Sequence, residues 1–121
     1  MENIKLEDQY IQVYDKENLV TDIWIENEQI KIKRYDNRIG HQLFLMPDLS
    51  VVDKDMFILI MKQRAISERR SDIKDILRQF NLNKYDLMKL LRKTHGITTD
   101  DYLWLRFDNE NISYEKIKVR D

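Results

Sequence analysis

The side chains best able to do chemistry in this sequence are two histidines, His41 and His95, and the adjacent carboxylates Asp100 and Asp101. His95 falls in the last turn of a predicted helix, where a cation meets the negative end of the helix dipole, so helix capping is its commoner role. His41 follows Gly40 in a predicted loop with no acid at a helical offset, and reads as a structural or surface residue. Two isolated histidines make a poor metal site, and Asp100 and Asp101 lack a companion ligand at motif spacing. Neighbouring carboxylates usually point apart, and after Thr98 and Thr99 their ordinary work is to stabilise a turn or a helix start. The chain has no cysteine, which removes thiolate zinc sites, disulfides and cysteine nucleophiles. Its glycines are only Gly40 and Gly96, too few for a phosphate loop, and no nucleophile elbow or kinase catalytic loop occurs. The expectation is a protein that is not an enzyme and uses no metal and no cofactor.

A chain of 121 residues, 42% hydrophobic and 36% charged, has the size and core content of a single domain spanning 1–121. The longest apolar run, Met56 to Met61, is far short of the ~20 residues that cross a bilayer. The start of the chain lacks the basic and apolar segments of a signal peptide, so a cytoplasmic location with no membrane contact is expected. Scarce glycine and one proline, Pro47, predict few tight turns.

Three runs in the first third read as strands: Tyr10 to Tyr14, Leu19 to Ile25, and Gln29 to Lys33, where Ile30 and Ile32 alternate with Lys31 and Lys33. Polar breaks between them predict an antiparallel meander, and Gln42 to Met46 can add an edge strand before Pro47. Charged flanks make a helix of the Met56–Met61 run, started by a capping arrangement at Ser50 to Asp53. Ser71 can cap a second helix with Ile73, Ile76, Leu77 and Phe80 on one face, and Asn83 a third with Leu87, Met88, Leu90 and Leu91, ending at Gly96. An alternating tail from Ile112 to Val119 reads as a strand with Ile112, Tyr114, Ile117 and Val119 inward. Meander, three helices and a strand-like end define an α+β fold.

The net charge of −1 is unevenly placed: residues 1–36 carry −4 and residues 62–93 carry +6. A basic stretch is more often a solvated helix face than a binding site, yet it can steer an acidic partner. Helix, break and helix over residues 71–95 open a nucleic-acid reading in which Lys84, Lys89, Arg92 and Lys93 contact phosphates. A pI near 6.1, no turn glycine and an apolar third helix favour a structural hairpin instead. Trp24, Tyr102 and Trp104 are either core or interface aromatics. Trp24 must face away from Ile23 and Ile25, so either both sheet faces are covered or Trp24 awaits a partner. The leading expectation is therefore a protein-binding regulator using Trp24 together with a basic helical face at Arg64, Arg69 and Arg70.

Pro47, Arg64 and Arg69, the leucine-rich helical pair, and Gly96, Ile97, Thr98, Asp101, Tyr102 and Trp104 in the stretch HGITTDDYLWLRFDNENISYEKIKVRD carry a family resemblance. Together they resemble the N-terminal region that precedes HipA-like serine/threonine kinase domains in Firmicutes, with Leu103 inserted between the tyrosine and the tryptophan of the pattern. No kinase part is present in this sequence. The resemblance implies a free-standing regulator of such a kinase, as in split toxin–antitoxin pairs. A small inhibitor of a host defence protein, carried by a phage or mobile element, fits the same description.

Overall fold

The structure, a computed structural model, describes residues 4–35, 51–98 and 101–117. The alternating runs of the first third become β1 (Gln9–Asp15), β2 (Asn18–Glu26) and β3 (Gln29–Arg34). Two tight hairpins join them, in register Asp15 opposite Asn18 and Glu26 opposite Gln29. Scarce glycine had pointed away from such turns. The chain instead places Lys16 (φ 55°), Asn27 (φ 51°) and Glu28 (φ 62°) in the left-handed region. Two successive positive φ values suit the right-handed twist of a hairpin, but a non-glycine side chain opposes them. Local bonds offset that cost. The Asn27 N–H donates to Asp8 Oδ1 at 2.9 Å, and Glu28 Oε1 accepts from the Leu6 N–H and from Lys54 Nζ, both at 3.1 Å.

The sheet has the order β4-β3-β2-β1-β5 and is antiparallel throughout, with β4 (Val51–Val52) and β5 (Leu103–Phe107) at its edges. One face carries Ile11, Val13, Ile23, Ile25, Ile30, Ile32, Leu105 and Phe107, all buried. These form one core cluster with Phe57, Ile58 and Met61 of α1 (Lys54–Arg64) and Leu87, Met88 and Leu91 of α3 (Leu87–Thr94). Full burial of each such side chain stabilises the fold by about 1.5–3 kcal/mol.

The apolar run Met56 to Met61 is helical, as its charged flanks predicted. Asp53 Oδ2 accepts from the Met56 N–H, and the helix turns Leu59 outward, where it is well exposed. Several predicted boundaries move. The helix α2 (Ile73–Gln79) starts after Asp72 rather than Ser71, with no side-chain cap. The third helix starts after Asp86, whose carboxylate accepts from the Lys89 N–H at 3.1 Å, so Asn83 is not its cap. The C-terminal strand is Leu103–Phe107, while Tyr114–Ile117 is a short helix, α4, with no fully buried residue; Ile112, Tyr114 and Ile117 are only half-buried. Asp108 and Asn109, at φ 49° and 57°, turn the chain after the strand, and the Lys116 N–H then bonds back to Ser113 O as a helical turn. His41, Pro47, the expected strand Gln42–Met46, Asp100 and Val119 lie outside the described residues. Among the described residues no helix is long and apolar enough to cross a membrane.

Candidate functional site

Strand alternation puts a different chemistry on the sheet face away from α1 and α3. Cross-strand pairing builds one row from Tyr10, Trp24 and Lys31, and the next from Arg106, Gln12, Asp22 and Lys33. Beside them Tyr14 stacks on Trp104 at 4.9 Å between ring centroids, and Tyr10 on Trp24 at 5.8 Å. Tyr35 reaches the same face through its hydroxyl, which donates to Asp22. Tyr102, one residue ahead of β5, continues the alternation of Trp104 and lies under Lys16 Nζ, 4.3 Å from its ring centre. Six of the chain's eight tyrosines and tryptophans therefore stand on this face, whereas the core face is built of aliphatic residues and Phe. Rings with a polar tip suit a surface that is partly wet.

Asp22 organises the centre. It is only 5% exposed, and it accepts from the hydroxyls of Tyr10 and Tyr35 at 2.5 Å each, with the Gln12 amide at 3.5 Å. Gln12 in turn accepts from Arg106 Nη1 at 3.2 Å, and Arg106 also donates to Tyr14 Oη at 3.3 Å and to Glu110 O at 2.7 Å. Burial and the bond to Asp22 push the Tyr10 phenol well above its ordinary pKa, and the bond to Asp22, then burial, raise Tyr35. Both phenols keep their protons at neutral pH and act as donors that hold their rings in place. The result is a fixed aromatic face in which Trp24 is 38% exposed. Of the two alternatives for Trp24, exposure is the one found. Trp104, 1% exposed and donating Nε1–H to Lys16 O at 2.6 Å, is a buried brace of the face rather than a contact residue.

Arg64 is elsewhere. Expected on an exposed basic surface, it is 8% exposed and lies beside the edge of β5. Its Nε donates to Gly96 O at 2.9 Å, Nη2 to Leu103 O at 2.8 Å, and the guanidinium forks onto Asp101 at 2.7 and 3.0 Å. This belongs to a complete sealing of the edge. Leu103, Leu105 and Phe107 point their backbone groups away from β1. The Leu103 N–H donates to Asp101 Oδ1, and the Leu105 N–H to His95 O. The Leu105 carbonyl meets His95 Nδ1 at 3.1 Å, and Phe107 exchanges bonds with Glu110 through both its N–H and its carbonyl. An edge with every outward group satisfied does not template another strand. His95 thus does more than complement a helix end: it is the left-handed cap of α3 and a cover for β5. With Nδ1 facing Leu105 O and Glu110 Oε1 at 3.2 Å, both acceptors, that nitrogen carries a proton.

The other predicted residues do not converge. Arg69 and Arg70 are exposed in a turn after α1, not on a helix, and Arg70 Nε pairs with Asp72 at 2.6 Å. They follow the helical layer, while Trp24 stands on the opposite sheet face, so the expected combined surface is not formed. Residues 80–86 separate α2 from α3, longer than the three- or four-residue turn of a helix-turn-helix. Lys84, Lys89 and Arg92 line a groove of about 650 Å³ with Lys5, but so do Glu7, Asp8, Glu68 and Asp86. Arg92 is also committed to Gln9 and Asp108, both at 2.9 Å, and Lys93 lines a separate cleft. A groove of balanced charge gives a phosphate backbone little to hold. Sequence reasoning missed Tyr10, Gln12, Asp22, Lys31, Lys33 and Tyr35 as one surface. Strand parity in the three runs was the signal that collects most of them.

The fold and this face define a five-stranded antiparallel sheet with helices on one side and an ordered aromatic surface on the other. Compared with protein-family models, with curated proteins and with solved structures, the chain matches none.

Proposed function

We propose that the chain is a non-enzymatic binding protein that docks a protein partner on the outer sheet face around Trp24. The observation that carries this reading is the concentration of tyrosine and tryptophan on a face that no helix of the core cluster covers, with Trp24, Tyr35 and Tyr102 exposed there. Tyrosine and tryptophan are the preferred anchors of interfaces, and a ring locked by Asp22 loses little freedom on binding. Regulation of a HipA-like kinase, or inhibition of a host defence protein in the cytoplasm, is the role that the resemblance of the 96–104 segment adds to this proposal.

The test is a photocrosslinking amino acid placed at Lys33 on the face and at Leu59 on the exposed side of α1, in cells that make the protein. A discrete protein adduct from position 33 and none from position 59 is the expected result. Adducts from position 59 alone would move the interface to the helical layer and end this reading.

A further inference from the structure

We infer that the segment received by this face is an acidic peptide of the partner, with an apolar side chain beside Trp24 and carboxylates over Lys31 and Lys33. This rests on the outer sheet face being the docking surface. Lys31 stands directly opposite Trp24 in the register, and Lys33 directly opposite Asp22. Both lysines are exposed, and neither has a carboxylate partner among the described residues. The central acid does not offset them at the surface, because Asp22 is buried and occupied by two phenols and Gln12. Glu26, opposite Gln29 and one row beyond Trp24, is an exposed acid at the end of the face. Beside Trp24 a cleft of about 190 Å³, lined also by Glu26, Asn27, Gln29 and Lys31, is of a size for one side chain. Glu26 there favours an uncharged, apolar anchor, with the carboxylates placed further along, over the two lysines.

A single-stranded nucleic acid would also bring negative charge and needs successive ring faces to stack on. Those faces are not free. Lys33 lies over the Tyr35 ring at 5.2 Å, Lys16 covers Tyr102, and Trp104 is buried under Tyr14. Among the described rings of this face Trp24, stacked on Tyr10 on one side, is the exposed one that no cation covers, which suits one anchoring side chain rather than a run of bases. The chain's overall charge of −1 also disfavours a polyanion at long range, while a short acidic segment feels mainly the lysines beside it.

The experiment selects short random peptides displayed on phage against the full-length protein, then measures the selected peptides and a single-stranded oligo-uridine by fluorescence anisotropy. Acidic peptides with one apolar anchor are expected, and Trp24→Ala is expected to weaken them ~30-fold or more, the loss of a central aromatic anchor. Wild-type binding is expected to weaken as salt is added, and Lys31→Glu with Lys33→Glu is expected to weaken it roughly tenfold at low salt and to remove that salt dependence. Peptides that bind Trp24→Ala as well as wild type would overturn the docking face itself. Peptides that need Trp24 but are neutral or basic, and ignore the lysine reversals, would overturn the acidic partner alone. Oligo-uridine bound through Trp24 and both lysines would assign the face to nucleic acid and overturn the inference. The two lysines are exposed, so their reversal tests the idea even where Trp24→Ala disturbs folding.

Discussion

Replacing Arg64 by leucine removes a buried cation and strands what it held. The carbonyls of Gly96 and Leu103 lose donors at 2.9 and 2.8 Å, and Asp101 loses a forked partner. A buried acceptor left without a donor costs roughly 1–3 kcal/mol. Breaking a wholly buried ion pair costs about 3–5 kcal/mol, but Asp101 is 30% exposed and regains water, which discounts that part. Together these give a destabilisation of about 3 kcal/mol, offset in part by the burial of leucine. Urea unfolding followed by tryptophan fluorescence would read it as a lower midpoint at unchanged slope, with Tm falling by roughly 10–15 °C. Asp101→Asn separates the contributions. It keeps an oxygen for the Leu103 N–H and leaves both carbonyls bonded to Arg64, so its cost is expected to be less than half that of Arg64→Leu. Equal costs for the two variants would refute the assignment of most of the energy to the carbonyls. A cost below about 0.5 kcal/mol for Arg64→Leu, the range of ordinary surface changes, would refute the buried anchor altogether.

Three further outcomes follow from local geometry. Gly96 has φ +63°, and a Cβ there would sit 3.0 Å from Leu105 Cδ1, so Gly96→Ala combines left-handed strain with a forced shift of a core side chain. A loss of about 1.5–3 kcal/mol in the same unfolding assay is expected. At alkaline pH the raised phenol values of Tyr10 and Tyr35 mean that the unfolded chain ionises them first. Their contribution is complete below the unfolded value near pH ~10 and is lost as pH climbs through the higher folded values. An ultraviolet titration should therefore show two tyrosines lagging the rest, and Asp22→Asn should bring them back. On the acid side Glu28 is lowered by the Leu6 N–H and Lys54, and Asp72 by Arg70. Asp108, despite an opposing desolvation, is lowered by the Tyr10 N–H and Arg92. Stability falls as pH drops through those depressed values, and chemical denaturation across pH 2–6 checks that sign.

The pattern of the first third was sufficient for the meander, because a period of two in residues such as Gln29 to Lys33 commits each side chain to one face. The helical run Met56 to Met61 and the leucines of α3 were equally legible, since their burial follows from a period near 3.6. Caps were not. Ser71 and Asn83 are as good as Asp72 and Asp86 on local chemistry, and only the packing of Leu77 and Leu87 decides where each helix starts. The basic stretch was read as one surface because sequence shows charge and not direction. Arg64 turned inward because two carbonyls and Asp101, more than thirty positions away, converge beside it.

The absence of a cysteine, a glycine loop or a ligand motif is a property of the sequence alone, and so is the requirement that Trp24 oppose Ile23 and Ile25. What the face around Trp24 contains was decided by tertiary structure. The register of β1 with β2, and of β1 with β5, brings Tyr10, Gln12, Asp22 and Arg106 into adjacent rows from sequence positions up to 96 apart. Local propensity carries no information about such pairing. It is fixed by the burial of the opposite face, where Ile11, Ile23, Ile32 and Phe107 meet the helices and leave the aromatic side outward.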